Sequence, residues 1–132
     1  MSSRPILIRQ AAVPLETSAE VAFGGVSWRT LISGDRTPTE GLTMGVADVA
    51  PDEAGEFRLH RHAQAEIYYI LSGRGRLRIG DQEYDLVPGD TVFIPGLAWH
   101  AARCVGTETL RLLYVFAAGS FEDVIYEFQE AD

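Results

Sequence analysis

Three histidines and one glutamate have the residue types and the spacing of a metal site. His60 and His62 stand two residues apart, and Glu66 follows four residues after His62. His100 is the third and last histidine of the chain. Successive side chains of a strand point to opposite faces, so His60 and His62 share a face if their segment is a strand. Three imidazoles and one carboxylate suit one divalent transition metal, with Fe, Mn, Ni, Zn and Cu all open.

The segments that carry these residues are typical of an all-β chain. Short apolar runs alternate with Gly, Pro and Asp, and no segment keeps a helical period for more than two turns. Many short strands at this spacing favour a sandwich or a jelly-roll barrel. The predicted strands cover residues 6–8, 27–32, 42–49, 56–62, 66–71, 75–79, 82–86, 91–94, 100–104, 109–116 and 124–128.

The composition excludes several classes of protein. A chain of 132 residues is long enough for one domain with a hydrophobic core. A net charge of −8 is too acidic for a nucleic-acid or anionic-membrane partner. No apolar run approaches the roughly 20 residues of a membrane span. Cys104 is the only cysteine, which excludes an internal disulfide and fits a reducing compartment. The first residues lack the apolar core of a secretion signal. We expect one domain over residues 1–132, a cytoplasmic location and a small-molecule partner.

Two segments of the chain resemble the conserved motifs of the cupins. The first, residues 55–73, places Gly55, His60, His62, Glu66 and Gly73 in the cupin order. The second, residues 89–104, places Gly89, Pro95 and His100 in order. The sequence departs from the pattern in the gap from Gly55 to His60, which is one residue short, at Leu97, where the motif usually has glycine, and at Cys104, where it usually has asparagine.

This resemblance implies a fold, a cofactor and an assembly. The fold would be a double-stranded β-helix, that is, a jelly-roll barrel. The cofactor would be one metal bound by His60, His62, Glu66 and His100. The assembly would be a homodimer, for which residues 6–8 and 110–116 are candidate interface strands, since exposed sheet edges need cover.

Within the cupins the chain is most similar to the small single-domain dimethylsulfoniopropionate lyases. The similarity lies in residues 25–29, residues 65–68 and residues 121–126. In those enzymes the first tyrosine removes the proton α to the substrate carboxylate, which implies that Tyr68 is the base and that Tyr126 assists it or orients the substrate. A metal that binds the carboxylate eases loss of this proton and favours a tyrosinate beside it.

Further side chains can be placed only by strand face. Arg58 shares a face with His60 and His62, so it would either bind an anionic substrate or reach solvent from the strand end. Tyr68 shares the face of Glu66 and could equally pack the core. Cys104 shares a face with His100 and would line the pocket or act as a small buried hydrophobe. Tyr114, Phe116 and Trp99 are interpreted as core or dimer-interface aromatics.

Four functions remain open on this sequence. The first is a metal-dependent lyase acting on a small anionic carboxylate. The others are a metal-dependent dioxygenase, an isomerase of a sugar or sugar acid, and a non-catalytic ligand-binding cupin. Tyr68 and Tyr126 favour the two functions that move a proton, the lyase and the isomerase.

Overall fold

The computed structural model describes residues 2–18, 25–52 and 56–129. Gly55, the first glycine of the cupin-like motif, lies outside these residues. The described residues form eleven strands and two short 3₁₀ turns, the turns being Gln10–Ala12 and Phe121–Asp123. The strands are β1 (Glu16–Thr17), β2 (Val26–Ile32), β3 (Thr43–Val49), β4 (His60–Arg61), β5 (Glu66–Ser72), β6 (Gly75–Ile79), β7 (Gln82–Leu86), β8 (Thr91–Ile94), β9 (His100–Cys104), β10 (Leu110–Phe116) and β11 (Glu127–Phe128).

The strands form two antiparallel sheets, which confirms the all-β jelly-roll prediction. One sheet has the order β1-β2-β3-β10-β5-β8, and the other has the order β11-β4-β9-β6-β7. Neighbours in these orders are mostly distant in sequence, as a jelly roll requires. No helix in the described part of the chain is long and apolar enough to cross a membrane.

The core lies between the inner faces of the two sheets. In β5 the burial alternates strictly, with Tyr68 and Ile70 buried and Ile67 and Tyr69 exposed. β10 repeats the alternation over seven residues. Because the side-chain period of a strand is two, this pattern fixes which face of each strand meets the core. Ile70, Leu77, Ile94 and Leu110 have no exposed surface, and each such side chain contributes about 1.5–3 kcal/mol by burial.

Three predicted strands are wrong in whole or in part. Residues 6–8 form no strand, and Leu7 is 73% exposed. The predicted strand 56–62 pairs only at His60–Arg61, and the predicted strand 124–128 pairs only at Glu127–Phe128. Extended, apolar sequence is not enough for a strand, because the strand also needs a partner edge.

The candidate interface strand at residues 110–116 is also corrected. β10 pairs with β3 on one side and with β5 on the other, so it has no free edge to offer a second chain. Only the outer face of β10 could take part in an interface.

A cluster of polar side chains ties the loop after β2 to the loop after β10; we call Ser33, Asp35 and Ser120 the serine cluster. Ser33 and Ser120 both donate hydrogen bonds to the Asp35 carboxylate, the second at 2.9 Å. The backbone N–H of Phe121 donates to Ser33 Oγ at 2.9 Å. The hydrogen bond from Ser33, followed by that from Ser120, lowers the pKa of Asp35, although burial opposes the shift. The cluster thereby fixes the start of the 3₁₀ turn at Phe121.

Candidate metal centre and its cavity

The structure brings all four candidate ligands together between the two sheets. His60 opens β4 and His100 opens β9, and the two residues lie opposite each other in the antiparallel pair. His62 follows β4, and Glu66 is the first residue of β5 in the facing sheet. The site therefore needs both sheets, because neither one alone contains all four side chains.

The four side chains are close enough to share one ion. One nitrogen from each imidazole lies within 4.8 Å of the other two. Glu66 Oε1 lies 3.2 Å from His62 Nε2 and 3.3 Å from His100 Nε2. His62, Glu66 and His100 are all at least 96% buried. A cation placed among these atoms would be shielded from water on the core side.

Backbone carbonyls orient each of the three imidazoles. His62 Nδ1 lies 2.9 Å from the carbonyl oxygen of Gln64, and His100 Nδ1 lies 2.8 Å from that of Ala98. His60 Nδ1 lies 3.5 Å from the carbonyl oxygen of Arg58. A carbonyl can only accept, so Nδ1 of His62 and Nδ1 of His100 carry a proton, and the neutral form of such a ring presents a bare Nε2 lone pair. Metal-binding histidines are oriented in this way, by a hydrogen bond from the ring nitrogen that does not bind the metal.

These tautomers leave lone pairs facing one another. His62 Nε2 and Glu66 Oε1 are both acceptors at 3.2 Å, and the buried His100 Nε2 has no hydrogen bond of normal geometry among the described residues. Burial, followed by the nearby His100 and His62, lowers the pKa of His60 to about 3, so this ring stays neutral. A buried acceptor cluster without donors is unfavourable unless a cation occupies it. The residues present therefore fit a metal ion.

A tight turn supports the loop that joins His62 to Glu66. Ala98 N donates to Pro95 O at 3.2 Å, and Leu97 N donates to His62 O at 2.8 Å. At Gly96 a Cβ would come within 2.3 Å of Ala63 O, so only glycine fits there. Leu97 takes the left-handed conformation with φ 66°, the one positive φ among described non-glycine residues. Leu97 stands where the cupin motif usually has glycine. This departure from the motif places a strained backbone conformation beside the candidate metal centre.

A cavity of about 280 Å³ opens from the candidate metal centre. Tyr68 and Tyr126 both line it. The Tyr126 ring lies 5.4 Å from the rings of His60 and His62, and the Tyr68 ring lies 6.4 Å from that of His100. Tyr126 stands one residue before β11 rather than inside the predicted last strand. Both hydroxyls thus belong to the cavity that contains Glu66.

The electrostatics of the cavity keep both tyrosines protonated. Burial, followed by the neighbouring Glu66 carboxylate, raises the pKa of Tyr68 well above its usual value. Burial and then Glu66 raise the pKa of Tyr126 in the same way. Either hydroxyl can act as a base only if positive charge nearby offsets these two effects.

Arg58 lines the cavity, whereas Cys104 is buried in the core. Arg58 is half-buried and lines the cavity together with Asp52 and Glu56, so its side chain does not simply reach solvent. Cys104 is 2% exposed, packs in the core and donates its thiol proton to the carbonyl oxygen of Glu108. It is not among the residues that line the cavity, which leaves it the role of a small buried hydrophobe.

Sequence reasoning missed the aromatic wall of the cavity. Tyr114, interpreted as a core or interface residue, lines the cavity with Trp28 and Phe121. Trp28 and Phe121 stack with their ring centroids 6.3 Å apart. The Tyr114 ring crosses Gly45 on the neighbouring strand, where a Cβ would lie 2.2 Å from its hydroxyl oxygen. A glycine within a strand is the signal that could have shown this close approach.

The family of the chain follows from its sequence match. The family model described as a cupin domain matches residues 45–116, more than half of the chain and all four candidate ligands. The chain is a cupin. The two antiparallel sheets and the buried histidines between them form the cupin architecture of this protein.

Two curated relatives and one solved structure are similar to this cupin. The dimethylsulfoniopropionate lyase DddW of Ruegeria pomeroyi is 36% identical over 124 residues, which are 94% of this chain and 80% of that protein. The 5-nitrosalicylic acid 1,2-dioxygenase of a Bradyrhizobium species is 34% identical over 77 residues, 58% of this chain and 36% of that protein. The polyketide cyclase RemF from Streptomyces resistomycificus has the same fold, with a TM-score of 0.80, 20% identity and coverage of 98% of this chain and 88% of that one.

Proposed function

We propose that this cupin is a metal-dependent lyase that eliminates dimethyl sulfide from dimethylsulfoniopropionate. The observation that carries the proposal is the placement of Tyr68 and Tyr126 in one cavity with Glu66 and with His60, one of the three clustered histidines. A proton-abstracting group and a candidate metal site in one pocket are what an elimination α to a carboxylate needs. The similarity to a dimethylsulfoniopropionate lyase over 94% of the chain supports the same activity.

The metal site in this proposal consists of His60, His62, Glu66 and His100. Support comes from the three imidazoles, whose nitrogens lie within 4.8 Å of one another, and from the Glu66 oxygen that lies 3.2 and 3.3 Å from Nε2 of His62 and of His100. A divalent metal held there would supply Lewis-acid chemistry, polarising the substrate carboxylate and adding positive charge beside Tyr68. The donor set suits Fe, Mn, Ni, Zn or Cu.

The protein's own residues perform the remaining chemistry. Tyr68, as the tyrosinate, removes one proton from the carbon next to the substrate carboxylate. The electron pair of that C–H bond forms the C=C bond of acrylate, and the C–S bond breaks. Dimethyl sulfide leaves with the C–S electron pair, so the sulfonium cation becomes a neutral sulfide. Tyr126, whose ring lies 5.4 Å from those of His60 and His62, orients the substrate.

The aromatic wall supports a substrate with a cationic end. Trp28, Tyr114 and Phe121 line the cavity. Aromatic faces attract onium groups, and such contacts contribute about 0.5–2 kcal/mol when desolvated. Arg58 lines the same cavity together with the carboxylates Asp52 and Glu56, and its positive charge can help to admit the substrate carboxylate.

The test is the release of acrylate and dimethyl sulfide by wild type and Tyr68→Phe, each loaded in turn with the candidate metals. Tyr68→Phe keeps the ring and removes only the hydroxyl, so fold and metal content should survive. We expect kcat/KM to fall by about 10²–10⁴-fold, the usual contribution of a positioned acid or base. Tyr84→Phe, on an exposed side chain of β7, is the matched control and should keep full activity. Full activity in Tyr68→Phe would exclude this mechanism.

A second candidate function is a metal-dependent dioxygenase. The observation that favours it is the 34% identity to 5-nitrosalicylic acid 1,2-dioxygenase, which covers 58% of this chain but only 36% of that protein. An oxygenase consumes O₂ and a lyase does not, so the same assays under strict anaerobiosis separate them.

Turnover of a sugar acid alone would support the isomerase, and tight binding without turnover would support a ligand-binding cupin.

We also propose that residues 1–132 form one domain and that the protein is a cytoplasmic homodimer. The dimer is supported by the outer face of β5 and β8, where Ile67, Tyr69 and Leu71 are each 41% exposed and Phe93 is 63% exposed. Ile67 and Phe93 lie opposite each other on paired strands, so they form one apolar patch. A second copy would cover it. Light scattering that finds only monomer at micromolar concentration would refute the dimer.

A further inference from the structure

Gln64 makes two hydrogen bonds that run in opposite directions from the loop between His62 and Glu66. Its backbone carbonyl oxygen accepts from His62 Nδ1 at 2.9 Å. Its side-chain Nε2 donates to the carbonyl oxygen of Asp123 at 3.1 Å. One residue therefore contacts both a candidate metal ligand and the segment that carries Tyr126. The sequence alone gave Gln64 no role beyond that of a turn residue.

The segment at the far end of this bond is residues 120–129, which we call the tyrosine arm. The arm carries Phe121 and Tyr126 into the cavity. It is anchored at its start, where Ser120 donates to Asp35 at 2.9 Å. It is anchored at its end, where Arg61 donates to both oxygens of Glu127 at 2.9 and 3.1 Å. Between these anchors, Asp123 is bonded by Gln64.

The amide of Gln64 is held in this orientation at an energetic cost. Its Oε1 is buried and has no hydrogen-bond partner among the described residues. Rotating the amide would place this oxygen against the Asp123 carbonyl, so the donor to Asp123 fixes the orientation. A buried acceptor left unpaired is unfavourable, because it has lost its hydrogen bonds to water without replacement. The hydrogen bond from Gln64 Nε2 to Asp123 O is therefore kept although Gln64 Oε1 has no hydrogen-bond partner among the described residues.

We propose that Gln64 is a positioning residue that couples occupancy of the metal site to the position of Tyr126. A cation bound to His62 Nε2 and Glu66 would hold the two ends of the loop that contains Gln64. The ordered loop would then hold Asp123 through the side-chain amide, and Tyr126 follows three residues later. The coupling between metal occupancy and the position of Tyr126 does not depend on the proposed function. Its effect on catalysis does rest on the proposed function.

The test is hydrogen exchange of wild type and Gln64→Met, each without metal and with one equivalent of Zn²⁺. Methionine matches glutamine in length, leaves the backbone carbonyl to His62 and lacks the donor. In wild type, zinc should slow exchange of the Asp123 and Val124 amides, which close the 3₁₀ turn, by about threefold or more. In Gln64→Met the zinc effect should persist in β4 and β5, and in β11, which pairs with β4, and should disappear at Asp123 and Val124.

Two further variants make the result specific. Gln64→Lys restores a donor that can reach Asp123 O, so it should restore the zinc effect on the arm. Glu127→Gln weakens the other end of the arm without touching the loop, so its arm should exchange faster but still respond to zinc. A zinc response of the arm in Gln64→Met equal to that of wild type would overturn the proposal, because the remaining main-chain bond from Ala117 N to Ala65 O would then suffice.

A kinetic measurement connects the coupling to the reaction. If the protein is the proposed lyase, Gln64→Met should lower kcat about tenfold at unchanged metal content, and adding Tyr126→Phe should lower it little further, because both changes disturb the same group. A wild type that releases no dimethyl sulfide contradicts the proposed function and leaves the exchange result standing. A normal kcat in Gln64→Met with an active wild type contradicts the coupling instead.

Discussion

The molecule contains two polar clusters, and they differ in how their hydrogen-bonding atoms are satisfied. In the serine cluster each hydroxyl donates to the Asp35 carboxylate, and Ser33 also accepts from the Phe121 amide. In the candidate metal centre, His62 Nε2 and Glu66 Oε1 face each other as acceptors, and His100 Nε2 has no normal hydrogen bond among the described residues. The serine cluster has buried hydroxyls, an exposed Asp35 and a complete set of partners within the protein, whereas the metal centre is buried and incomplete.

This difference separates a structural cluster from a binding site. A closed network of donors and acceptors stabilises the fold and needs nothing from outside. A buried set of lone pairs is unfavourable until a cation satisfies it. The serine cluster anchors the tyrosine arm at Ser120, while the metal centre reaches the same arm through Gln64. Cation-dependent behaviour is therefore expected at one cluster and not at the other.

The largest effect is expected from His62→Ala, which removes one of the four candidate ligands. A metal at about 1,000 times its Kd stabilises the native state by about 4 kcal/mol, and the variant should lose most of this gain. Thermal unfolding with and without Zn²⁺ measures the gain, and elemental analysis measures metal content. Ser120→Ala, in the serine cluster, should lower stability but keep the full zinc gain. Full metal occupancy in His62→Ala would contradict the ligand assignment.

An intermediate effect is expected from Asp35→Asn in the serine cluster. Asparagine can still accept from Ser33 and Ser120, but the hydrogen bonds lose their charge, which should destabilise the fold by about 1 kcal/mol, since Asp35 is exposed and solvent screens its charge. The folded pKa of Asp35 is lowered from 3.8, so its contribution is complete above that value and is lost as the pH falls through the lower folded pKa. Urea unfolding should show a clear gap between wild type and variant at neutral pH that shrinks below pH of about 3.8.

Asp81→Asn, on the exposed tip between β6 and β7, controls for loss of one charge and should change stability little. The zinc gain should be unchanged in both aspartate variants. A gap that widens as the pH falls would have the wrong sign for a lowered folded pKa.

The smallest effect is expected from Leu97→Gly, in the strained turn next to the metal centre. Leu97→Gly removes the strain of the positive φ of 66° and should stabilise the protein by about 0.5–1 kcal/mol. The greater conformational entropy of glycine in the unfolded chain reduces this gain. Gly96→Ala, in the same turn, should destabilise it by about 1–3 kcal/mol, because the new Cβ meets Ala63 O. Chemical denaturation measures both. A destabilising Leu97→Gly would mean that the exposed leucine side chain makes a contact worth more than the strain.

The sequence by itself determined most strand positions and the identity of the candidate ligands. Strands β6 to β9 begin and end where they were predicted, because Gly80-Asp81, Pro88-Gly89 and Pro95-Gly96 are strong turn signals that act over a few residues. His60, His62, Glu66 and His100 were found from residue type and spacing, since only a few side chains bind transition metals well. Alternation along β5 placed Tyr68 on the face of Glu66, and it lines the cavity.

Only the tertiary structure decided what depends on partners distant in the chain. Residues 56–59 and 124–125 are extended in character, but no neighbouring strand pairs with them. Tyr114 became a cavity residue because Gly45, 69 positions earlier, leaves room for its ring. Gln64 contacts Asp123, 59 residues away, through a side-chain hydrogen bond. A local pattern records which face a side chain takes, whereas the atoms it meets there are set by the packing of both sheets.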